Sequence, residues 1–287
     1  MQLSVVVPFL NESATLANQL LALSKQEWSK PWEVILADNG STDGSLSIAE
    51  QFKKKLPRLS IIDASDRKGQ AYAKNVGARF ASGRSIAFCD ADDEVAPGWV
   101  AAMGEALEEH DFVASRFEIA KLSCPRFLRG RGAPQSEGLQ IYRYPPYLPH
   151  AGGCGLGIKR IVHEAIGGFD ESWAYHEDTD YCFRVQLAGT PLHFAANAVV
   201  HIRFPETLWG AFNQARNWGI YNVLIYKRYR SEGMSPLRLR DGLGAWIGLM
   251  KTLPWLFRTD ESARWLWQFG LRTGRLQGCL KHRVLAL

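Results

Sequence analysis

Short apolar runs alternate with amphipathic stretches through the first 200 residues. Residues 3–8 (LSVVVP), 32–37 (WEVILA), 59–63 (LSIID) and 85–89 (SIAFC) are too short for helices, and several are β-branched. Each ends in a polar or Gly-rich turn, so the four predict strands. Asn11 is placed to cap a helix through Leu16, Leu20 and Leu23. Ser41 or Thr42 is placed to cap the next, with Asp43 in its first turn. Gly69 opens a third helix, through Ala73 and Ala78 to Gly83. Further along, the pattern predicts helices over 159–166 and 177–187 and a strand over 192–200, with helix throughout beyond Pro205. Between Lys121 and His150 the Pro, Gly and Arg-rich sequence predicts a long loop. There is no internal repeat.

Strand–helix alternation with near-continuous apolar strands implies an α/β fold, a mostly parallel sheet covered by helices on both faces. In such sheets ligands bind beyond the carboxyl ends of the strands. The residues there are polar: Asn11-Glu12, Asp38-Asn39-Gly40-Ser41, Asp66-Arg67-Lys68-Gly69 and Asp90-Ala91-Asp92-Asp93. Four polar turns are thereby predicted to converge on one rim.

Composition changes this picture in three ways. With 287 residues, 46% hydrophobic and 22% charged, the chain is one large globular domain, or one domain plus a small appendage, not a disordered or collagen-like sequence. The most apolar long stretch, 242–257, is interrupted by Lys251 and Pro254, so no membrane span is expected. The first eight residues lack the features of a secretory signal, and five scattered cysteines form no Cys-x-x-Cys pair, so the expected address is cytoplasmic. Charge is uneven. From His201 onward there are fourteen Lys and Arg against five acids, whereas the first 200 residues carry twenty against twenty-four. An acidic body with a basic tail does not fit a nucleic-acid-binding domain. The tail also holds Trp209, Trp218, Trp246, Trp255, Trp265 and Trp267. Much of this is expected to pack on the body. Trp beside Lys and Arg also marks a membrane interface, so part of the segment is expected on an anionic membrane surface, peripheral on the inner face of the cytoplasmic membrane.

Three constellations could carry chemistry. Asp90-Ala91-Asp92-Asp93 follows a strand, where alternate carboxylates can aim at one point and oxygen ligands suit Mg²⁺ or Mn²⁺. The same residues could be an ordinary acidic turn capping the helix after Pro97. Glu177-Asp178-Thr179-Asp180, preceded by His176, offers a general base among crowded neighbours. Equally, it could be an acidic helix start with an Asp180–Arg184 pair one turn apart. His201 ends the NAVVHIR run and is either structural or a third ligand to a carboxylate site.

These residues carry a family resemblance. Val5-Val6-Val7-Pro8 with Asn11-Glu12, Asp38 through Ser45 (DNGSTDGS), Gly69 through Gly77 (GQAYAKNVG), Asp90-Ala91-Asp92-Asp93, Gly167-Gly168-Phe169-Asp170-Glu171 and Glu177 through Arg184 (EDTDYCFR) resemble the family 2 inverting glycosyltransferases of the GT-A fold. The resemblance covers residues 1–203. It implies a catalytic domain over 1–205 and a basic, Trp-rich helical segment over 206–287. Pro8, Glu12 and Asp38 would contact the nucleotide of a nucleotide-sugar donor, Asp38 reading the base, with Arg67 and Lys74 near base and phosphates. Asp90 would hold the ribose or sugar, Asp92 the metal (Mn²⁺ or Mg²⁺) with His201 joining it, and Asp178 would be the catalytic base. The acceptor would be a glycan or lipid-linked hydroxyl, and UDP or dTDP the donor nucleotide.

Two departures stand out. Asn39 replaces a second Asp common in that turn. Gln214-Ala215-Arg216-Asn217-Trp218 only half matches the Gln-x-x-Arg-Trp motif of processive synthases, which favours single addition. Two rival enzymes fit less well. A nucleotidyltransferase would want a Gly-rich basic loop after the first strand, where Phe9-Leu10-Asn11-Glu12 stands. A phosphatase would want a nucleophile after that strand, which instead ends in Pro8. A non-catalytic nucleotide-sugar binder is the remaining alternative, which retention of the acids does not favour.

Overall fold

The computed structural model describes every residue except 57, 129–133, 143–146, 259–260 and 287. Parts of the expected loop over 121–150 therefore lie outside the described residues. The chain divides into two compact units. The first comprises Met1–Glu118, Gln135–Gln140 and Pro149–Ile202, and the second Ile119–Pro134, Ile141–Leu148 and Arg203–Leu287.

The first unit is built on eight strands: β1 (Leu3–Phe9), β2 (Trp32–Asp38), β3 (Leu59–Asp63), β4 (Ser85–Phe88), β5 (Glu94–Val95), β6 (Phe112–Glu118), β7 (Leu156–Lys159) and β8 (His193–His201). They form one sheet in the order β3-β2-β1-β4-β7-β6-β8-β5. All seven residues of β1 are buried, which is why its sequence is apolar without alternation. β1 pairs in parallel with both β2 and β4, and β2 in parallel with β3. Their carboxyl ends therefore share one rim, with Phe9, Asp38 and Asp63 in register across three strands. Beyond β4 the sheet is mixed: β7 runs antiparallel between β4 and β6, β6 pairs in parallel with β8, and β5 returns antiparallel on β8. The local pattern gives no sign of β5, β6 or β7. β5 has two residues, β7 is four residues with a central glycine, and their partners are distant in sequence.

The helices of this unit are α1 (Leu16–Ser24), α2 (Ser45–Phe52), α3 (Gln70–Phe80), α4 (Trp99–Glu109), α6 (Arg160–Ala165) and α7 (Glu177–Leu187); α5 (Pro125–Leu128) belongs to the second unit. Their apolar faces meet the sheet in a core that includes Val6, Ile86, Phe88, Phe112, Leu156, Phe169 and Tyr181. Two expected caps differ from those found. α1 begins after Thr15, because Asn11 sits in left-handed backbone (φ 56°) with its Oδ1 accepting from Thr42 N–H at 2.8 Å. α2 begins after Gly44, where Asp43 Oδ1 accepts from Ser45 N–H at 2.9 Å.

In the second unit, α8 (Leu208–Tyr229), α9 (Leu239–Lys251) and α10 (Ser262–His282) carry the structure. Gly270, Gly274 and Gly278 of α10 lie against the backbone at Phe212, Arg216 and Ile220 of α8. Both series rise by four, so the two helices run parallel, and a side chain at Gly274 would collide with the Arg216 carbonyl. Trp265 and Trp267 are buried in this packing, with Trp267 edge-on to Trp218 at 5.3 Å. Two of the tail's six tryptophans are thus internal, whereas Trp209 is 70% exposed. Among the described residues no helix is long and apolar enough to cross a membrane.

Candidate functional site

Two loops at the rim are stitched together by short side chains. Asn11 N–H donates to Ser41 Oγ (3.1 Å), Glu12 N–H to Ser45 Oγ (2.7 Å) and Ser13 N–H to Asp43 Oδ2 (3.0 Å). The Ser45 hydroxyl, which donates to Asp43 Oδ1, and then the Ser45 amide and Ser13 hold Asp43's carboxyl well below the usual range. Asp38 ends β2, and its Oδ1 accepts from Ser41 N–H at 2.8 Å. Glu12 Oε2 accepts from the Thr15 hydroxyl at 2.8 Å, and Pro8 is buried inside β1. Asn39 organises the next turn. Its Nδ2 donates to the carbonyls of Ala64 (2.6 Å) and Arg67 (2.7 Å), and its Oδ1 accepts from Gly69 N–H (2.9 Å). A carboxylate there could make only the last of these bonds. Arg67 is exposed and pairs with Glu171 at 3.2 Å. Glu171 also accepts from Asn75 Nδ2 at 3.0 Å.

The acidic turn after β4 is fixed by a buried amide. Gln19 Nε2 donates to the Asp90 carbonyl (2.9 Å), and Gln19 Oε1 accepts from Val95 N–H (3.0 Å), clamping both ends of the turn. The sequence held a signal for this residue. Gln19 lies on the same face as Leu16, Leu20 and Leu23 and is fully buried among them. A polar side chain inside an apolar stripe needs a partner. Asp90 Oδ1 accepts from Gln70 Nε2 at 2.9 Å. Ligand atoms of Asp90, Asp93 and Cys154 lie within 4.8 Å of one another, the one such group of three among the described residues. Burial first, then the carboxylates of Asp93 and Asp90, push the Cys154 thiol up, and soft sulfur is a poor match for a hard divalent cation. The carboxylates are the donors that fit a hard divalent cation. Asp92 sits half-buried in the same turn, outside that group. His201 is also outside it. Its Nδ1 lies 2.7 Å from Glu118 Oε2, and its register partner on β5 is Glu94, two residues past Asp92.

Lys74 joins this turn to the opening of α7. The side chain is 1% exposed, and its Nζ lies 3.7 Å from Asp90 Oδ1 and 3.4 Å from Glu177 Oε1, above the Phe169 ring. Burial alone would lower its pKa, but Asp90 and then Glu177 outweigh this and hold it above the ordinary lysine value. Burial pushes the Glu177 carboxyl up to about 7, with Lys74 opposing and Asp178 adding to the rise. Asp178 is half-buried. It accepts from Gly153 N–H through Oδ2 (2.9 Å) and from Thr179 N–H through Oδ1 (2.7 Å). A Cβ at Gly153 would press on Lys74 Nζ and displace the ammonium from its acids. Asp180 is fully buried and pairs with Arg184 at 2.8 Å, whose other nitrogens donate to the carbonyls of Ile166 and Gly168. That pair anchors α7 to the preceding Gly-Gly turn. The structure thus brings Asp90, Lys74, Glu177 and Asp178 into one chain of contacts, whereas Arg67 lies apart on Glu171.

The sequence profile of Glycosyl transferase family 2 matches residues 4–167. The chain belongs to glycosyl transferase family 2. A second profile, Glycosyl transferase family group 2, matches residues 142–272. A family 2 relative, the uncharacterized glycosyltransferase YfnE of Bacillus subtilis (strain 168), is 39% identical over 111 residues, which cover 39% of this chain and 28% of YfnE. The chain therefore spans less than a third of that relative's length. Two solved structures share the GT-A fold over the whole chain. The mannosyltransferase PcManGT of Pyrobaculum calidifontis, in complex with GDP-Man and Mn²⁺, has a TM-score of 0.64 at 19% identity, with 76% of its chain covered. S. aureus TarS 1-349, in complex with UDP-GlcNAc, has 0.58 at 18%, with 93% covered.

Proposed function

We propose that this chain is a metal-dependent, inverting glycosyltransferase. It moves one sugar from a UDP- or dTDP-linked donor to a hydroxyl of a glycan or lipid-linked acceptor, in cell-surface polysaccharide or glycolipid assembly. Residues 1–205 act as the catalytic domain. The basic segment 206–287 meets an anionic membrane on its cytoplasmic side. The observation that carries this reading is the Lys74 bridge: one buried ammonium reaches both the donor-side Asp90 and Glu177, the neighbour of Asp178. The nucleotide-sugar complexes of the two structural neighbours support the donor class.

In this mechanism Asp178 takes the acceptor hydroxyl proton as that oxygen attacks the anomeric carbon. The bond from that carbon to the diphosphate breaks on the opposite face, and its electron pair leaves with the nucleoside diphosphate, inverting the configuration. The Gly153 and Thr179 amides orient the Asp178 carboxylate for this transfer. Pro8, Glu12 and Asp38 receive the nucleotide and Asp90 the ribose or sugar, with Arg67 at the margin. Lys74 acts from beneath, as compensation for the surrounding acids. Asp92 and His201, together with the Asp90 and Asp93 carboxylates, would hold Mn²⁺ or Mg²⁺, which would supply charge neutralisation for the leaving diphosphate.

Thermal stabilisation by UDP, dTDP and GDP, each with Mn²⁺, Mg²⁺ or EDTA, tests the site. A ligand at a hundred times its Kd adds about 2.7 kcal/mol. One nucleotide is expected to stabilise wild type only with metal, and Asp92→Ala not at all. Asp178→Asn should retain that stabilisation and lose on the order of 10²–10⁴-fold in turnover. Stabilisation by no nucleotide, or normal turnover by Asp178→Asn, overturns the site and the base assignment respectively.

A further inference from the structure

The second unit carries an apolar face that its own packing leaves uncovered. On α9, Leu249 is buried, its carbonyl accepting from Trp265 Nε1 at 3.1 Å, and the Ala245 carbonyl accepts from Arg272 Nε at 3.1 Å. Ala245 and Leu249, one turn apart, define the side of α9 that meets α10. Leu243, Ile247 and Met250 follow the i, i+4, i+7 spacing of the opposite side and are 59%, 56% and 59% exposed. Beyond the helix end, Leu253 and Phe257 extend the apolar surface, Phe257 being 84% exposed.

Charge says what covers this face. Arg238 and Arg240 stand at one end of the stretch and Lys251 and Arg258 at the other, against the single acid Asp241. By helical spacing Arg240 and Lys251 fall along one margin of the apolar stripe, and both are exposed. The helix also carries Gly244 and Gly248, where an added Cβ would point into open space. Close packing in this structure does not call for them, and glycine is a poor helix former. A short helix of this kind gains order when its apolar side is buried. We propose that α9 and the following turn to Phe257 form an interfacial foot. It lies flat on a bilayer of anionic lipid, with Leu243, Ile247, Met250 and Phe257 in the acyl boundary and the flanking Arg and Lys at the headgroups. The proposal rests on the membrane-facing reading of the C-terminal segment and narrows it to one face.

Co-sedimentation of the full chain with phosphatidylcholine vesicles, with and without phosphatidylglycerol, tests both. Wild type should bind only the anionic vesicles. The triple variant Leu243→Ser, Ile247→Ser, Phe257→Ser should bind at least about tenfold more weakly with its melting unchanged, since the residues replaced are exposed. Wild-type binding that survives the triple substitution overturns the foot and leaves the membrane reading standing. Absence of wild-type binding overturns both. Self-association of wild type without lipid, abolished by the same substitutions, assigns the face to a second copy and also overturns the foot.

Discussion

At Asn39 one atom type decides the architecture of a loop. The Nδ2 group gives hydrogen to two carbonyls, Ala64 and Arg67, that start the turn into α3. Asn39→Asp replaces both donors with an acceptor, in a side chain that is 3% exposed. The variant is expected to lose about 1–3 kcal/mol of stability, measured by urea unfolding. An unchanged midpoint would mean the turn re-pairs with water. The sequence made this position visible as a departure from the resembling family, but its effect was unreadable, because both carbonyls come from a segment more than twenty residues away. The same limit applies to Lys74. The resemblance implies a position near base and phosphates, and nothing local in the sequence shows that the fold buries the ammonium against Asp90 and Glu177.

Elements with local signals were legible. α7 spans Glu177–Leu187 as its acidic start and apolar periodicity predict, and the Asp180–Arg184 pair foreseen one turn apart is present. β1 to β4 were legible for the same reason: each is a short apolar run followed by a polar turn. Elements defined by distant pairing were not, as with the antiparallel β7 between β4 and β6. Nor did periodicity give the contact between α8 and α10, because it marks which face is apolar and not how near two backbones come. Gly274 sets that distance against the Arg216 carbonyl. Gly274→Val should cost about 2–3 kcal/mol, read as an earlier thermal transition, while Gly244→Val, with open space around it, should cost nothing.

For the whole molecule, three buried groups, two histidines and Glu177, shape the response to acid. Burial, then Arg184, lowers the His163 pKa from 6.5 to about 4, with Nδ1 at 2.7 Å from the Tyr181 hydroxyl. Burial likewise lowers His150 to about 4. Between pH 6.5 and 4 the unfolded chain binds protons that the folded chain refuses. The histidine contribution to stability is therefore fully present above 6.5 and falls as pH falls, by up to about 1.4 kcal/mol per pH unit for each, while Glu177, raised to about 7, contributes in the opposite sense between pH 7 and 4.5 and offsets one of them. Denaturation midpoints across this window should slope accordingly, and His163→Phe should make the slope shallower. An unaltered slope would assign the acid sensitivity elsewhere. At this scale the acidic body and basic tail were legible by counting, but where the tail's charge is used was not. Parallel packing of α8 and α10 brings two carboxyl-terminal helix ends together, bridged by Lys227 Nζ donating to the His282 carbonyl at 2.9 Å. Each end carries the negative pole of a helix macrodipole, and side by side the two poles repel. Lys227, Arg228 and Lys281 occupy those last turns. Part of the tail's positive surplus is thus already engaged by its own backbone, and the charge it presents to a partner is smaller than its composition implies.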